Sequence, residues 1–358
     1  MALAHRFSVC RKPLRLVAAV FLAALLLPAA APAAEARKVI LDIDPGTDDA
    51  MAVLLALNSP ELEVLALTVV PGNVTLDLGV ENARKLASLT DRCDIPVAAG
   101  APRPLAQPVT TAEFWHGQNG LANVELPAPR CPLDPRFAPD LIIELVHAHP
   151  GEIPLLPVGP LTNIALAVLK DPSIVPQVKE VILMGGSITG GNVTAAAEAN
   201  IHNDPEAAQI VFTAGWPVTM VGLGVGNASL FGPAHLAQLT RTRGLQTDFA
   251  AALMKHLIDL SAQFDSPGTP LYDALAAAVA IDPTVVTTEA MHVEVETRGE
   301  MTRGETVANR YNFTEHRVWQ DGRWVIDAIT PVEPNAQVCV GVDAERFLQL
   351  LITRIRGH

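Results

Sequence analysis

Four aspartates fall within eight residues: Asp42, Asp44, Asp48 and Asp49, in the run Val39-Ile-Leu-Asp-Ile-Asp-Pro-Gly-Thr-Asp-Asp-Ala50. Carboxylates this dense repel one another. Two unit charges ~4 Å apart cost about 4 kcal/mol at an effective dielectric of 20. The flanking runs are apolar, which argues against a solvated acidic tail. A hard divalent cation held by oxygen ligands relieves the repulsion, so the cluster points to a metal-dependent site. Pro45 and Gly46 force a turn that presents Asp42 and Asp44 at a strand end. Thr47 is placed to cap the following helix, whose dipole favours Asp48 and Asp49. A merely capped strand-to-helix turn leaves Asp42 and Asp44 unexplained. An Asp-x-Asp phosphatase nucleophile wants Thr or Val two residues after its second Asp, where this chain has Gly46.

The elements that must position these residues alternate along the chain. Val39–Ile43, Glu63–Val70, Ile95–Ala98, Ile153–Pro157, Val178–Met184 and Pro217–Leu223 read as strands. Asp49–Leu57, Asp77–Ser88, Pro139–His147 and Leu161–Leu169 read as helices. Continuous apolar strands alternating with helices predict an α/β fold, a single domain with a mainly parallel central sheet flanked by helices. In such sheets ligands bind beyond the carboxyl ends of the strands. The aspartates, Gly72-Asn73, Val158-Gly159, Gly185-Gly186 and Leu223-Gly224 all follow strands, which predicts one shared site. The Pro-rich stretches Ala101–Pro108 and Pro127–Pro139 read as loops.

The first residues have the make-up of a secretory signal. Arg6, Arg11, Lys12 and Arg15 precede an apolar run from Leu16 to Leu27, and small-residue cleavage sites follow at Ala31-Pro-Ala33 and Ala34-Glu-Ala36. The run is short for a membrane span, which needs about 20 residues. Residues 1–36 are thus expected to be a signal peptide and 37–358 the catalytic domain, exported to the periplasm or secreted. The whole chain carries a net charge of −13, and cleavage would make it more acidic still. That disfavours nucleic acid and anionic membrane as partners. Cys93, Cys131 and Cys339 remain after cleavage, without metal-like spacing. One disulfide and three buried thiols are both compatible with them.

The aspartate run resembles the signature of the inosine–uridine-preferring nucleoside hydrolases, Asp-x-Asp-Pro-Gly-x-Asp-Asp-Ala. Further blocks follow in that family's order: Pro71-Gly-Asn73-Val, Asn82-Ala-Arg, His116-Gly with Gly120-Leu, and Gly159-Pro-Leu-Thr-Asn163-Ile-Ala. After them come Leu183-Met-Gly-Gly186, Gly191-Asn192, Glu198-x-Asn200, Asp204-Pro-Glu-Ala-Ala208 and Tyr272-Asp273-Ala-Leu-Ala. Ile281-Asp-Pro-Thr-Val285 follows, and together the blocks cover about residues 38–310. The resemblance implies a nucleoside hydrolase fold, a bound Ca²⁺, cleavage of the N-glycosidic bond of ribonucleosides, and a homodimer or homotetramer. It implies Asp44, Asp49, Asp273 and the backbone carbonyl of Val158 as metal ligands. Asp44 would also take the proton of the attacking water, with Asp42 a supporting group behind the cluster. Asp48 and Asn73 would hold ribose hydroxyls, Asn192, Glu198 and Asn200 the rest of the sugar, and Met184 and His116 would line the substrate pocket.

Two positions depart from the family pattern. Where many members have His, a candidate leaving-group acid, this chain has Tyr272. A phenol with its ordinary pKa near 10 suits stacking on a base better than protonating it. In a purine-preferring branch of the family an aromatic residue stands here and stacks on the base, so the resemblance implies that purine nucleosides are favoured. Trp115 offers a second stacking face. Relatives often carry Asp and Thr where Gly224 and Gly226 stand. Two competing readings are a non-catalytic exported nucleoside or ribose receptor and a hydrolase of another ribosyl substrate.

Overall fold

The computed structural model describes Met1 and residues 36–357; the signal-peptide reading falls on residues outside that description, apart from its two ends. From Ala36 onward the described chain forms one compact unit. Ten strands make the main sheet: β1 (Arg37–Ile43), β2 (Leu62–Val69), β3 (Val97–Ala99), β4 (Leu133–Asp134), β5 (Pro154–Pro157), β6 (Glu180–Met184), β7 (Val218–Val221), β8 (Val286–Val295), β9 (Thr306–Asn309) and β12 (Ala336–Val342). Their order is β4-β3-β2-β1-β5-β6-β7-β12-β8-β9. Pairing is parallel from β4 through to β12, whereas β8 and β9 run antiparallel at the edge.

Alternation along β1 explains the two-sided core. Val39, Leu41 and Ile43 pack with the helices Thr47–Leu57, Leu245–Ala262, Tyr272–Ile281 and Ala344–Arg356. Ile40 packs on the other face with the helices Ala138–Ala148, Thr162–Lys170 and Pro205–Thr213. Side chains two apart share a face, so Asp42 lies on the Ile40 face and is buried there. Both faces of the central strands are covered, which is why they read as unbroken apolar runs.

The chain winds outward from β1 in two directions, first through β2, β3 and β4, later through β5, β6 and β7. The winding therefore reverses between β1 and β5, and a crevice opens beyond their carboxyl ends. The aspartate cluster closes β1 and Val158-Gly159 closes β5. The helix Tyr272–Ile281 packs against the helix Thr47–Leu57, and its alanines 274, 276, 277, 278 and 280 keep it slim enough to do so. Two helix amino termini thus converge on this crevice, each carrying acids in its first turn.

Element positions follow the sequence expectation within a few residues, with informative exceptions. Leu133–Asp134 forms a short edge strand inside a stretch read as loop. The strand expected to run to Leu223 ends at Val221, and Leu223–Asn227 turns into a short helix. Thr47 does not cap its helix: Gly46 is the cap residue, and Thr47 turns its hydroxyl to His116. Beyond residue 310, β10 (Phe313–Gln320) and β11 (Arg323–Pro331) form a separate hairpin. Asp321 and Gly322, both with positive φ, make its two-residue turn.

Candidate active site

Asp48, Asn73, His116, Val158, Met184, Asn192, Glu198, Asn200, Tyr272 and Asp273 all line one cavity of about 330 Å³. These ten expected site residues come from eight separate stretches of chain. Asp44 and Asp49 are buried and do not themselves line it. The volume falls within the range of small-molecule sites.

The floor is acidic. Carboxylate oxygens of Asp48, Asp49 and Asp273 lie within 4.8 Å of one another. Asp49 is held rigidly: its Oδ1 accepts from the Asp44 amide at 3.1 Å, and its Oδ2 from the Gly46 amide at 3.0 Å and Asn73 Nδ2 at 2.8 Å. Asp44 Oδ2 accepts from the Asn73 amide at 2.8 Å. Asp44 Oδ1 and Asp48 Oδ1 are buried without a partner. Gly159 leaves Asp44 room, since a Cβ there would sit 2.6 Å from Asp44 Oδ1. Burial and the neighbouring Asp49 charge push the Asp44 carboxyl well above its ordinary range. Burial, then the Asp48 charge, does the same to Asp273. Burial also raises Asp48 and Asp49. Among the described residues lining the cavity there is no lysine or arginine to offset this charge.

Such a floor fits a divalent cation. It offers orphaned buried oxygens, hard donors and no competing cation. The geometric group differs from the expected ligand set: Asp48 joins Asp49 and Asp273, and Asp44 is not among the three. The Val158 carbonyl accepts from Asn200 Nδ2 at 2.7 Å, which leaves one of its two lone pairs. Asp42 faces away, where its Oδ1 accepts from Thr68 Oγ1 at 2.6 Å and Asn163 Nδ2 at 2.8 Å. It ties β1 to β2 and to the helix Thr162–Lys170.

The walls divide into polar and aromatic parts. Glu198 caps the helix Ala199–Asn203, accepting from the Gly186, Asn200 and Ile201 amides. Asn192 Oδ1 accepts from the Ala199 amide at 3.0 Å, and Asn200 Nδ2 also reaches Met184 Sδ at 3.2 Å. On the far side, His116 Nδ1 accepts from the Thr47 amide at 3.1 Å. Burial lowers its pKa to about 4, so the ring is neutral with its proton on Nε2. Trp115 is 44% exposed at the rim and lies 5.4 Å from Phe264, ring to ring.

Tyr272 and Gly226 explain each other. A Cβ at Gly226 would overlap the Tyr272 ring at Cδ1 and Cε1, so the ring occupies the space a side chain at 226 would need. The Tyr272 hydroxyl donates to Asn227 Oδ1 at 2.7 Å. The two departures from the family pattern are thus one spatial event for Gly226. Gly224 faces open space, its nearest neighbour being Thr189 Oγ1 at 3.9 Å, and nothing in the structure explains that substitution. Sequence reasoning missed Asn227, Leu257, Ser261, Phe264 and Thr269, which also line the cavity, together with Val193, Ser266 and Pro270. No motif marks them; only the packing of the helix Leu245–Ala262 and its trailing loop brings most of them there.

Fold and site together define an α/β protein with an acidic small-molecule pocket at its topological switch point. Residues 39–349 match the model of the family described as inosine-uridine preferring nucleoside hydrolase. The chain is 42% identical over 323 residues to an inosine-uridine preferring nucleoside hydrolase of Leishmania major, covering 88% of this chain and 96% of that one. It is 36% identical to a pyrimidine-specific ribonucleoside hydrolase, RihA, of Salmonella arizonae, covering 90% and 99%. A solved purine-preferring ribonucleoside hydrolase from Gardnerella vaginalis superposes with a TM-score of 0.80 at 36% identity, covering 90% and 98%. The chain belongs to the inosine-uridine preferring nucleoside hydrolase family. It is accordingly an enzyme acting on nucleosides, which sets aside the non-catalytic receptor.

Proposed function

We propose that this enzyme is an exported, Ca²⁺-dependent hydrolase that releases ribose and free base from ribonucleosides, with purine nucleosides preferred. The observation that carries the reading is the convergence of Asp48, Asp49 and Asp273 beneath a wall formed by Tyr272. Similarity alone does not choose the base, because relatives at 36% identity are titled both pyrimidine-specific and purine-preferring.

Asp49, Asp273, Asp44 and the Val158 carbonyl, with Asp48 beside them, would hold the ion. When bound it supplies a Lewis-acidic centre that makes water a better nucleophile near neutral pH. Asp44 Oδ1, the oxygen of that carboxylate with no hydrogen-bond partner among the described residues, takes the proton of the attacking water. Asp48 and Asn73 hold ribose hydroxyls over the floor, and Asn192, Glu198 and Asn200 hold the rest of the sugar. The crowded carboxylates favour positive charge developing on the ribose ring as the bond to the base breaks. Tyr272 stacks on the base. The surrounding negative charge of Asp48, Glu198 and Asp273, added to burial, keeps its phenol protonated. His116, neutral, offers Nε2–H as a donor to the base side.

The test is reducing-sugar release from a panel of purine and pyrimidine ribonucleosides, with and without added Ca²⁺. Purine turnover is expected to exceed pyrimidine turnover and to vanish after chelation. Faster release from uridine and cytidine than from inosine and adenosine would reject the base preference. Full activity after exhaustive chelation would reject the cofactor.

A further inference from the structure

We propose that Asn227 reads the base: its side-chain amide, fixed by Tyr272, presents a hydrogen-bond donor that selects nucleosides whose base carries an oxo group at the matching position over those carrying an amino group. This rests on the reading that the base lies against Tyr272.

Asn227 ends the short helix Leu223–Asn227 and lines the cavity. The Tyr272 hydroxyl donates to its Oδ1 at 2.7 Å, which determines which end of the amide is left over. Tyr272 itself is held in place, because its ring lies in the space beside Gly226 that any side chain there would fill. The three residues therefore act as one unit. Gly226 seats the ring, the ring positions the phenol, and the phenol orients the amide. The remaining polar end is Nδ2, with two N–H donors and no hydrogen-bond partner among the described residues. Leu257, Phe264 and Pro270 contribute apolar surface to the same cavity. A donor in that cavity is satisfied by an acceptor on the ligand. A carbonyl oxygen of an oxopurine or oxopyrimidine supplies one. An exocyclic amine instead sets donor against donor and forgoes that hydrogen bond, which disfavours the amino-bearing base.

The experiment compares kcat/KM for inosine and adenosine in the wild-type enzyme and in Asn227→Leu, Asn227→Asp and Tyr272→Phe. The wild type is expected to favour inosine by about tenfold or more. Asn227→Leu should bring the ratio close to unity, with loss falling on inosine. Asn227→Asp replaces the donor by an acceptor and should move the preference towards adenosine. Tyr272→Phe frees the amide to rotate and should also narrow the ratio. Asn227 is exposed, so folding is expected to survive, and melting curves of each variant check this. An equal loss on both substrates in Asn227→Leu would mean that Asn227 only supports Tyr272, and the proposal falls. A wild-type enzyme that hydrolyses purines without oxo or amino bias also overturns it. An enzyme that hydrolyses no nucleoside overturns the function itself, so the two failures are distinct.

Discussion

At the scale of single residues, Asp44 and Asp42 show how two carboxylates two positions apart acquire different work. Both are buried, and each engages one carboxylate oxygen and leaves the other without a hydrogen-bond partner, Asp42 through Thr68 and Asn163, Asp44 through the Asn73 amide. What differs is the company: Asp44 also feels the charges of Asp49 and Asp48. Asp44→Asn keeps the shape and the acceptor for the Asn73 amide but removes the proposed base. Turnover should fall by about 10³-fold or more, with the melting temperature little changed. Single-turnover kinetics beside a melting curve check this, and a variant keeping more than a tenth of the wild-type rate would show that Asp44 does not take the proton. The sequence made this pair legible because the acids are adjacent in the chain and their repulsion is visible without a structure. Asp273 is legible only through the family resemblance, because nothing local marks it. Asn227 is invisible in the sequence, since its meaning depends on Tyr272, which meets it only through the fold.

Among the elements, the segment that carries Trp115 and His116 is the least supported by regular structure. It runs from β3 to β4 with a single four-residue helix, Glu113–His116. Its far end is tied down by the disulfide Cys93–Cys131, and by Ser88 Oγ, which accepts from the Arg130 amide at 2.9 Å. Three cysteines in the sequence left pairing and burial equally open; the fold brings Cys93 and Cys131 together, while Cys339 stays free and buried. Closing a loop of 38 residues restricts the unfolded chain by about 4 kcal/mol on the loop-entropy model. The double variant Cys93→Ser/Cys131→Ser should therefore lose up to that amount of stability in a urea titration. Because His116 is held to Thr47 from this segment, KM for nucleosides should rise more than kcat falls. Identical denaturation midpoints for wild type and variant would show that the crosslink adds nothing. Strand and helix positions were readable because apolar period and turn residues act locally. β4 was not, since two residues in a Pro-rich stretch carry no period, and it is a strand only because β3 pairs with it. The antiparallel edge was missed for a similar reason. β12 pairs with both β7 and β8, a placement fixed by long-range contacts.

For the molecule as a whole, the parallel sheet is what turns scattered acids into a site. The reversal of winding at β1 and β5 puts their ends side by side, and the alanine-rich helix Tyr272–Ile281 brings Asp273 in from more than two hundred residues away. The arrangement costs the folded state something when no cation is present. Asp42 is raised to about 7 by burial, and Asp44, Asp48, Asp49 and Asp273 are all raised. Acids whose pKa is higher folded than unfolded bind protons more tightly in the native state. Their contribution is fully present below the unfolded value near 3.8 and is lost as pH rises through the folded values. Metal-free protein should thus lose stability as pH rises from about 4, with the Asp42 share of the loss falling between about pH 4 and pH 7. A divalent ion binds the deprotonated carboxylates, so its stabilisation should grow over the same range. At a free Ca²⁺ concentration of 100 Kd it adds about 2.7 kcal/mol, worth several degrees in the melting temperature. Differential scanning calorimetry with EDTA and with Ca²⁺ at several pH values measures the gap directly. A gap that is absent, or that shrinks as pH rises, would mean the buried acids do not share a cation. Asp42→Asn separates the remaining contribution: it removes a raised carboxyl that faces away from the floor, so it should flatten the pH slope of the metal-free protein while leaving the Ca²⁺ increment in place.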